Sequence, residues 1–184
     1  MNSGESSYRR YLDGDKSGFD EIIDLYHDSL IYFIKRYVVS EQDAEDLAAD
    51  TFLEMLIHPS RYSFKSSLKT YIFSVARHKA IDFVRRRRRE IMPEEWDDAT
   101  FSEDDNAEKT AIENDNKREI AEAMSKIGVE YREVLMLIYF EGLSGDDAAR
   151  VMKKNKKQMA NLLYRAKAAL KNELTKGGYS YEEQ

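Results

Sequence analysis

The spacing of apolar residues constrains this chain more than any other feature, because they recur every three or four positions and seldom alternate as a strand would need. From Phe19, the residues Ile22, Ile23, Tyr26, Leu30, Phe33, Ile34 and Tyr37 predict a long amphipathic helix. Ala44, Leu47, Ala48, Thr51 and Met55 form the inward face of a second. Ser40 and Asp43 open it in the manner of a capping box, and it ends before Pro59. A loop, HPSRYSFKSS, separates it from a third helix marked by Leu68, Ile72, Val75, Ala76, Ala80 and Phe83, which runs into the pentad Arg85 to Arg89. With a short helix around Tyr8 to Leu12, these segments can bury one core. Only 2 Pro and 8 Gly interrupt 184 residues, so the expected fold is all-α.

The helical pattern lapses from about Glu90 to Asn116, where eleven acidic residues face one lysine. Such a stretch cannot bury enough apolar surface to order itself and is expected to be a flexible acidic linker. Beyond it, Ile120, Met124 and Ile127, then Val134, Leu135 and Ile138, predict two helices broken near Gly128, with Gly142 ending the second. Ser144 with Asp147 caps a short helix through Met152. Asn155 with Gln158 caps the last, whose inward face is Met159, Leu162, Leu163, Ala166 and Leu170. The expected organisation is two small helical domains, 1–90 and 117–176, joined by a linker over 91–116 and followed by a tail over 177–184.

The chain has no cysteine, so disulfides, thiolate metal sites and thiol nucleophiles are excluded. His27, His58 and His78 are scattered and no carboxylate cluster pairs with them at a ligand spacing, so neither metal nor cofactor is expected. The N-terminal MNSGESSYRR lacks the apolar segment of a signal peptide, and nothing is apolar enough to span a bilayer; a cytoplasmic protein without membrane insertion is expected. The net charge of −6 conceals two basic blocks, +9 over residues 61–89 and +8 over 150–176, separated by −10 over residues 90–116. Blocks of this kind are the electrostatic footprint of nucleic-acid binding.

The last two predicted helices, joined at Lys153 and Lys154 with the small residues Ala148 and Ala149 on the first, match a helix-turn-helix. The outward face of the second helix carries Lys156, Lys157, Asn161, Tyr164, Arg165 and Lys167. Cations there can neutralise phosphates, and Asn161 suits the hydrogen-bonding edge of adenine. In the first domain, Arg61, Tyr62, Phe64, Lys65, Lys69, Tyr71, Phe73, Arg77, His78 and Lys79 interleave aromatic and basic residues just before the arginine run Arg85, Arg86, Arg87, Arg88 and Arg89. This suits an unpaired strand, since aromatic faces stack extracted bases at about 1–3 kcal/mol each while cations follow the backbone. Asp43, Asp46 and Asp50 form an acidic stripe on the second helix. By itself that stripe is either a solvated face or a docking surface for a basic partner.

Four stretches in order, AEDLAADTFLEM, FKSSLKTYIFSVARHKAIDFVRRRRR, YREVLMLIYFEGLSGDDAARVM and NLLYRAKAAL, resemble the extracytoplasmic-function class of bacterial sigma factors. The resemblance implies a region 2 domain that holds the clamp helices of core RNA polymerase and melts the minus-ten element. It also implies a region 4 helix-turn-helix domain that reads the minus-thirty-five element and meets the polymerase flap. On that basis Asp46, Leu47, Asp50 and Phe52 are expected at the polymerase face. The loop from Arg61 to Ser66 would cradle a flipped base, with Tyr71, Arg77, His78, Lys79 and the arginine run near the melting junction. Ser144 joins the outward face of the last helix among the expected duplex contacts. An anti-sigma factor is an expected partner. Departures from the family's usual pattern at Ala49, Tyr71, His78, Gly145, Lys153, Asn161 and Leu162 imply an unusual promoter.

The alternative reading is a stand-alone helix-turn-helix regulator, which needs a dimerisation surface and a palindromic site. An enzyme acting on nucleic acid needs a metal cluster or an activated nucleophile, and the chain offers neither pattern. No catalytic residue is therefore expected.

Overall fold

The computed structural model describes residues 3–91 and 115–177. Helix α1 (Ser3–Leu12) lies across α2 (Ser17–Ile34), followed by α3 (Glu41–Ile57) and α4 (Leu68–Ile91). Between α3 and α4 the expected loop contains a single 3₁₀ turn, Pro59–Arg61. The second group comprises α5 (Asp115–Ser125), α6 (Val129–Leu135), α7 (Gly145–Val151) and α8 (Lys156–Lys176). The described residues hold no strand. Of the expected linker, Ile91 closes α4 and Asp115 opens α5; residues 92–114 and 178–184 lie outside the described residues.

Local chemistry explains the boundaries. The Ser40 hydroxyl accepts from the Asp43 backbone N–H at 3.3 Å, while the Asp43 carboxylate reaches Arg87 at 2.5 Å instead of closing a reciprocal box. Asn155 and Gln158 do form a full capping box at the start of α8, with both bonds at 2.9 Å. Gly142 adopts a φ of +65°, a left-handed conformation that costs glycine little, and the helical path ends there. Just before it, Met136–Phe140 form one π turn at the end of α6.

The first core is built from Tyr8, Ile22, Leu30, Phe33, Ile34, Met55, Leu68, Ile72 and Phe73, all fully buried. Those on α2 and α3, with Leu68 and Ile72, match the predicted inward faces; Phe73, read from the sequence among the aromatics suited to a strand, is instead fully buried against Phe33 and belongs to the core. The second is built from Val134, Leu135, Leu137, Ala148, Val151, Met159 and Ala166.

The two groups of helices meet. α4 packs against α7, and the buried residues form one continuous cluster. Charged side chains cross the seam: Lys69 Nζ donates to the Glu141 carbonyl at 2.7 Å and sits 2.8 Å from its carboxylate. Arg77 Nε donates to Glu133 Oε1 at 2.5 Å. Arg36 reaches the Met136 sulfur at 3.4 Å. Separate basic blocks with an acidic stretch between them gave no hint of this contact.

Candidate nucleic-acid interface

The loop between α3 and α4 is held from below by aromatic side chains. Tyr62 is buried, not solvent-facing, and its hydroxyl donates to the Ser66 carbonyl at 2.8 Å, pulling the loop into a tight arc. Tyr8 of α1 packs edge-on against Tyr62 at 5.5 Å and donates to the Pro59 carbonyl at 3.2 Å. Burial pushes the phenols of both Tyr8 and Tyr62 up to about 12. Phe64, half-buried, lies 4.5 Å from Tyr62 and holds a left-handed φ of +58°. A non-glycine residue kept in that region costs of order 1–3 kcal/mol and persists only where its surroundings over-determine it. Tyr71 stands 5.2 Å from Tyr62, half-exposed on the first turn of α4. The result is a cluster of rings with two accessible members, Phe64 and Tyr71.

The cations expected around this loop are largely engaged. Arg61 pairs with Glu54, Lys79 lies 3.8 Å from the same carboxylate, and His78 lies 3.5 Å from Asp82. Lys65 is exposed. Arg77 is turned into the seam, where its partner Glu133 is 1% exposed. Burial pushes the Glu133 carboxyl up against the opposing pull of Arg77, and it also raises the phenol of Tyr37, whose buried hydroxyl faces this pair without completing a hydrogen bond. In the arginine run, Arg87 is bound to Asp43, Arg86 donates to the Asp82 carbonyl at 3.4 Å, and Arg85 and Arg89 are exposed to solvent with Arg88 half-buried.

On α3, Asp46 and Asp50 face solvent. Leu47 and Phe52, expected on the same docking face, point the other way, each 5% exposed in the core. The apolar residues that accompany the aspartates outward are Leu53, Leu56 and Ile57, at 49%, 40% and 60% exposure. The sequence reading missed these three. They lie off the inward stripe that the helical period defines, and that was the signal available.

In the helix-turn-helix, Lys153 occupies the turn between α7 and α8 with a φ of +52°. Ser144 caps α7, accepting from the Asp147 N–H at 3.1 Å and donating to its carboxylate at 2.6 Å, so its hydroxyl is already in use. Lys156 pairs with Asp146 at 3.0 Å, and Lys167 lies 5.4 Å above the Tyr139 ring. Lys157, Asn161, Tyr164 and Arg165 project outward with no side-chain partner among the described residues, Tyr164 at 77% exposure. The partners Glu133 and Glu141 were not anticipated either. Glu133 stands four residues after Val129 and four before Leu137, so a charge on an apolar stripe was legible as an anomaly.

Comparison with known proteins resolves what this pairing of surfaces belongs to. Residues 22–90 match Sigma-70 region 2 and residues 117–170 match Sigma-70 region 4. The chain is 31% identical over 153 residues to the ECF RNA polymerase sigma factor SigM of Bacillus subtilis, covering 83% of this chain and 92% of that protein. The chain belongs to the ECF sigma factors of the sigma-70 family. As such it serves promoter-specific transcription initiation with RNA polymerase, in the class of regulatory subunits. The sigma factor's fold is also that of RpoE from Bartonella quintana, solved in complex with the anti-sigma factor NepR, with a TM-score of 0.69 at 23% identity over 85% of this chain and 96% of that one. CnrH, solved with the cytosolic domain of CnrY, matches with a TM-score of 0.67 at 18% identity over 95% of this chain and 98% of that one. Among the described residues, no helix is long and apolar enough to cross a membrane.

Proposed function

We propose that this sigma factor divides promoter recognition between its two ends. The domain over 1–90 binds core polymerase and captures the opened minus-ten strand; the domain over 117–176 reads the minus-thirty-five duplex; the acidic segment over 91–116 links them. The observation that carries this reading is the contrast of two surfaces on one chain: a ring-lined loop with Phe64 and Tyr71 accessible, suited to unstacked bases, and an outward helix face bearing Lys157, Asn161, Tyr164 and Arg165, suited to a major groove. Asp46 and Asp50, with Leu53, Leu56 and Ile57 beside them, form the polymerase-docking face, while Leu47 and Phe52 support it from the interior. Tyr62 supports the capture loop in the same way.

Arg77 and Lys69 reach a strand only when the seam to Glu133 and Glu141 opens, so the closed chain alone binds promoters weakly. Affinity comes from both domains acting together on polymerase. An anti-sigma factor, as NepR is for RpoE, is the expected antagonist.

Run-off transcription with sigma-free core polymerase tests the assignment. The intact chain initiates at specific sites, and the Asp46→Arg, Asp50→Arg variant loses initiation while retaining its fold by circular dichroism. Tight duplex binding without initiation overturns the reading in favour of a stand-alone regulator.

A further inference from the structure

Two adjacent arginines on α1 are used in opposite ways. Arg10 is consumed by structure: it pairs with Glu21 at 2.5 Å and with Asp15 at 3.4 Å. Arg9 is exposed and makes no ion pair among the described residues, although residues 1–60 carry a net charge of −8. Its guanidinium instead lies over the Phe64 ring, 4.1 Å from the centroid. A guanidinium stacked on an aromatic face is attracted by the ring's negative face, and the stack leaves its in-plane N–H donors directed away from the ring.

The position of this cation is set by the same elements that shape the loop. Tyr8, the residue before Arg9, is fully buried under Tyr62 and Phe64 and bonded to Pro59. α1 is therefore anchored to the loop, and Arg9 follows from that anchor. The match to Sigma-70 region 2 begins only at residue 22, so α1 lies outside it.

Resting on the strand-capture reading above, we propose that Arg9 is part of the capture site and binds a backbone phosphate of the unpaired strand next to the base held by the loop. The planar side chain is held against Phe64 before the strand arrives, so few rotamers are lost when its donors take up phosphate oxygens. The captured nucleotide then meets two elements far apart in sequence, with Tyr71 for its base and Arg9, held on the Phe64 ring, for its phosphate.

The test uses holoenzyme assembled from the full chain and core polymerase. The probe is a fluorescein-labelled non-template oligonucleotide from the melted segment of a promoter on which the holoenzyme initiates, titrated at several salt concentrations. Arg9→Ala is expected to weaken binding about tenfold and to reduce the slope of log K against log salt by about 0.7, the value for one single-strand phosphate contact. Arg9→Lys keeps the slope and loses less affinity, and Arg10→Ala binds within about twofold of the wild type. Equal binding by wild type and Arg9→Ala, an unchanged slope, or an equal loss in Arg10→Ala overturns the assignment. Failure of the wild-type holoenzyme to bind the strand overturns the capture reading on which it rests.

Discussion

The two basic blocks carry nearly the same charge, +9 over residues 61–89 and +8 over 150–176, yet they hold it differently. On α8, Lys157, Arg165 and the amide of Asn161 stand clear of the protein, while Lys156 is paired with Asp146 and Lys167 lies over the Tyr139 ring. Around the loop between α3 and α4, and on α4 itself, the corresponding side chains are tied down: Arg61 and Lys79 to Glu54, Arg87 to Asp43, Arg77 to Glu133 and Lys69 to Glu141. A duplex offers its phosphates at fixed places, so a surface that meets it can be displayed ready-made. A strand appears only after melting. A surface meant for it can spend its free state engaged with its own acids, and of those four carboxylates two, Asp43 and Glu54, belong to the first domain and two, Glu133 and Glu141, to the second.

Glu133→Ala is the severest way to break this contrast. It leaves Arg77 buried without a counter-charge, which typically costs about 3–5 kcal/mol. The domains are expected to separate instead, with a larger radius of gyration in small-angle scattering and stronger binding of single-stranded DNA by the free chain. Replacing both members, Arg77→Met with Glu133→Leu, is expected to keep the compact radius, because an apolar pair of similar volume substitutes for a buried ion pair at little or no loss of stability.

Alkaline titration probes the floor of the loop between α3 and α4. Tyr8 and Tyr62 are raised from 10.0 to about 12 by burial. Their contribution is fully present below the unfolded value near 10 and is lost as pH rises through about 12. Tyrosinate absorbance should therefore show a late-ionising fraction, and the melting temperature should fall across that window.

On the open surface, Arg165→Ala is expected to change stability by less than about 0.5 kcal/mol and to weaken minus-thirty-five duplex binding by the holoenzyme by about 1–3 kcal/mol. Thermal melts and fluorescence anisotropy read the two effects separately. Comparable losses in both would mean that α8 is not displayed as described. Asn155→Ala removes the cap of the same helix and is expected to lower stability by about 1 kcal/mol, measured by urea denaturation, with the loop of the first domain unaffected.

Much of this was legible in the residues. The inward stripes of α2, α3 and α8 follow from apolar spacing, and both N-caps of the helix-turn-helix were written in Ser144 and Asn155. Charge and aromatic content placed the two surfaces, yet they did not separate a ring that can stack from one that supports. Tyr62 and Phe64 look alike in a ten-residue loop, and only the packing of Tyr8 beneath them makes one buried and the other accessible. The seam was illegible for a related reason. A local period reports which face of a helix is apolar, whereas Arg77 and Glu133 find each other across 56 residues, beyond the reach of any window.

That separation along the chain has a consequence during synthesis. At roughly 5–20 residues added per second, Arg77 leaves the ribosome about 3–11 s before Glu133, which lies 56 residues later. For that interval the first helices fold around an arginine whose acid has not yet been made, and its side chain stays in water. The closed arrangement belongs to the finished chain alone; the nascent one passes through an open state on its way to it.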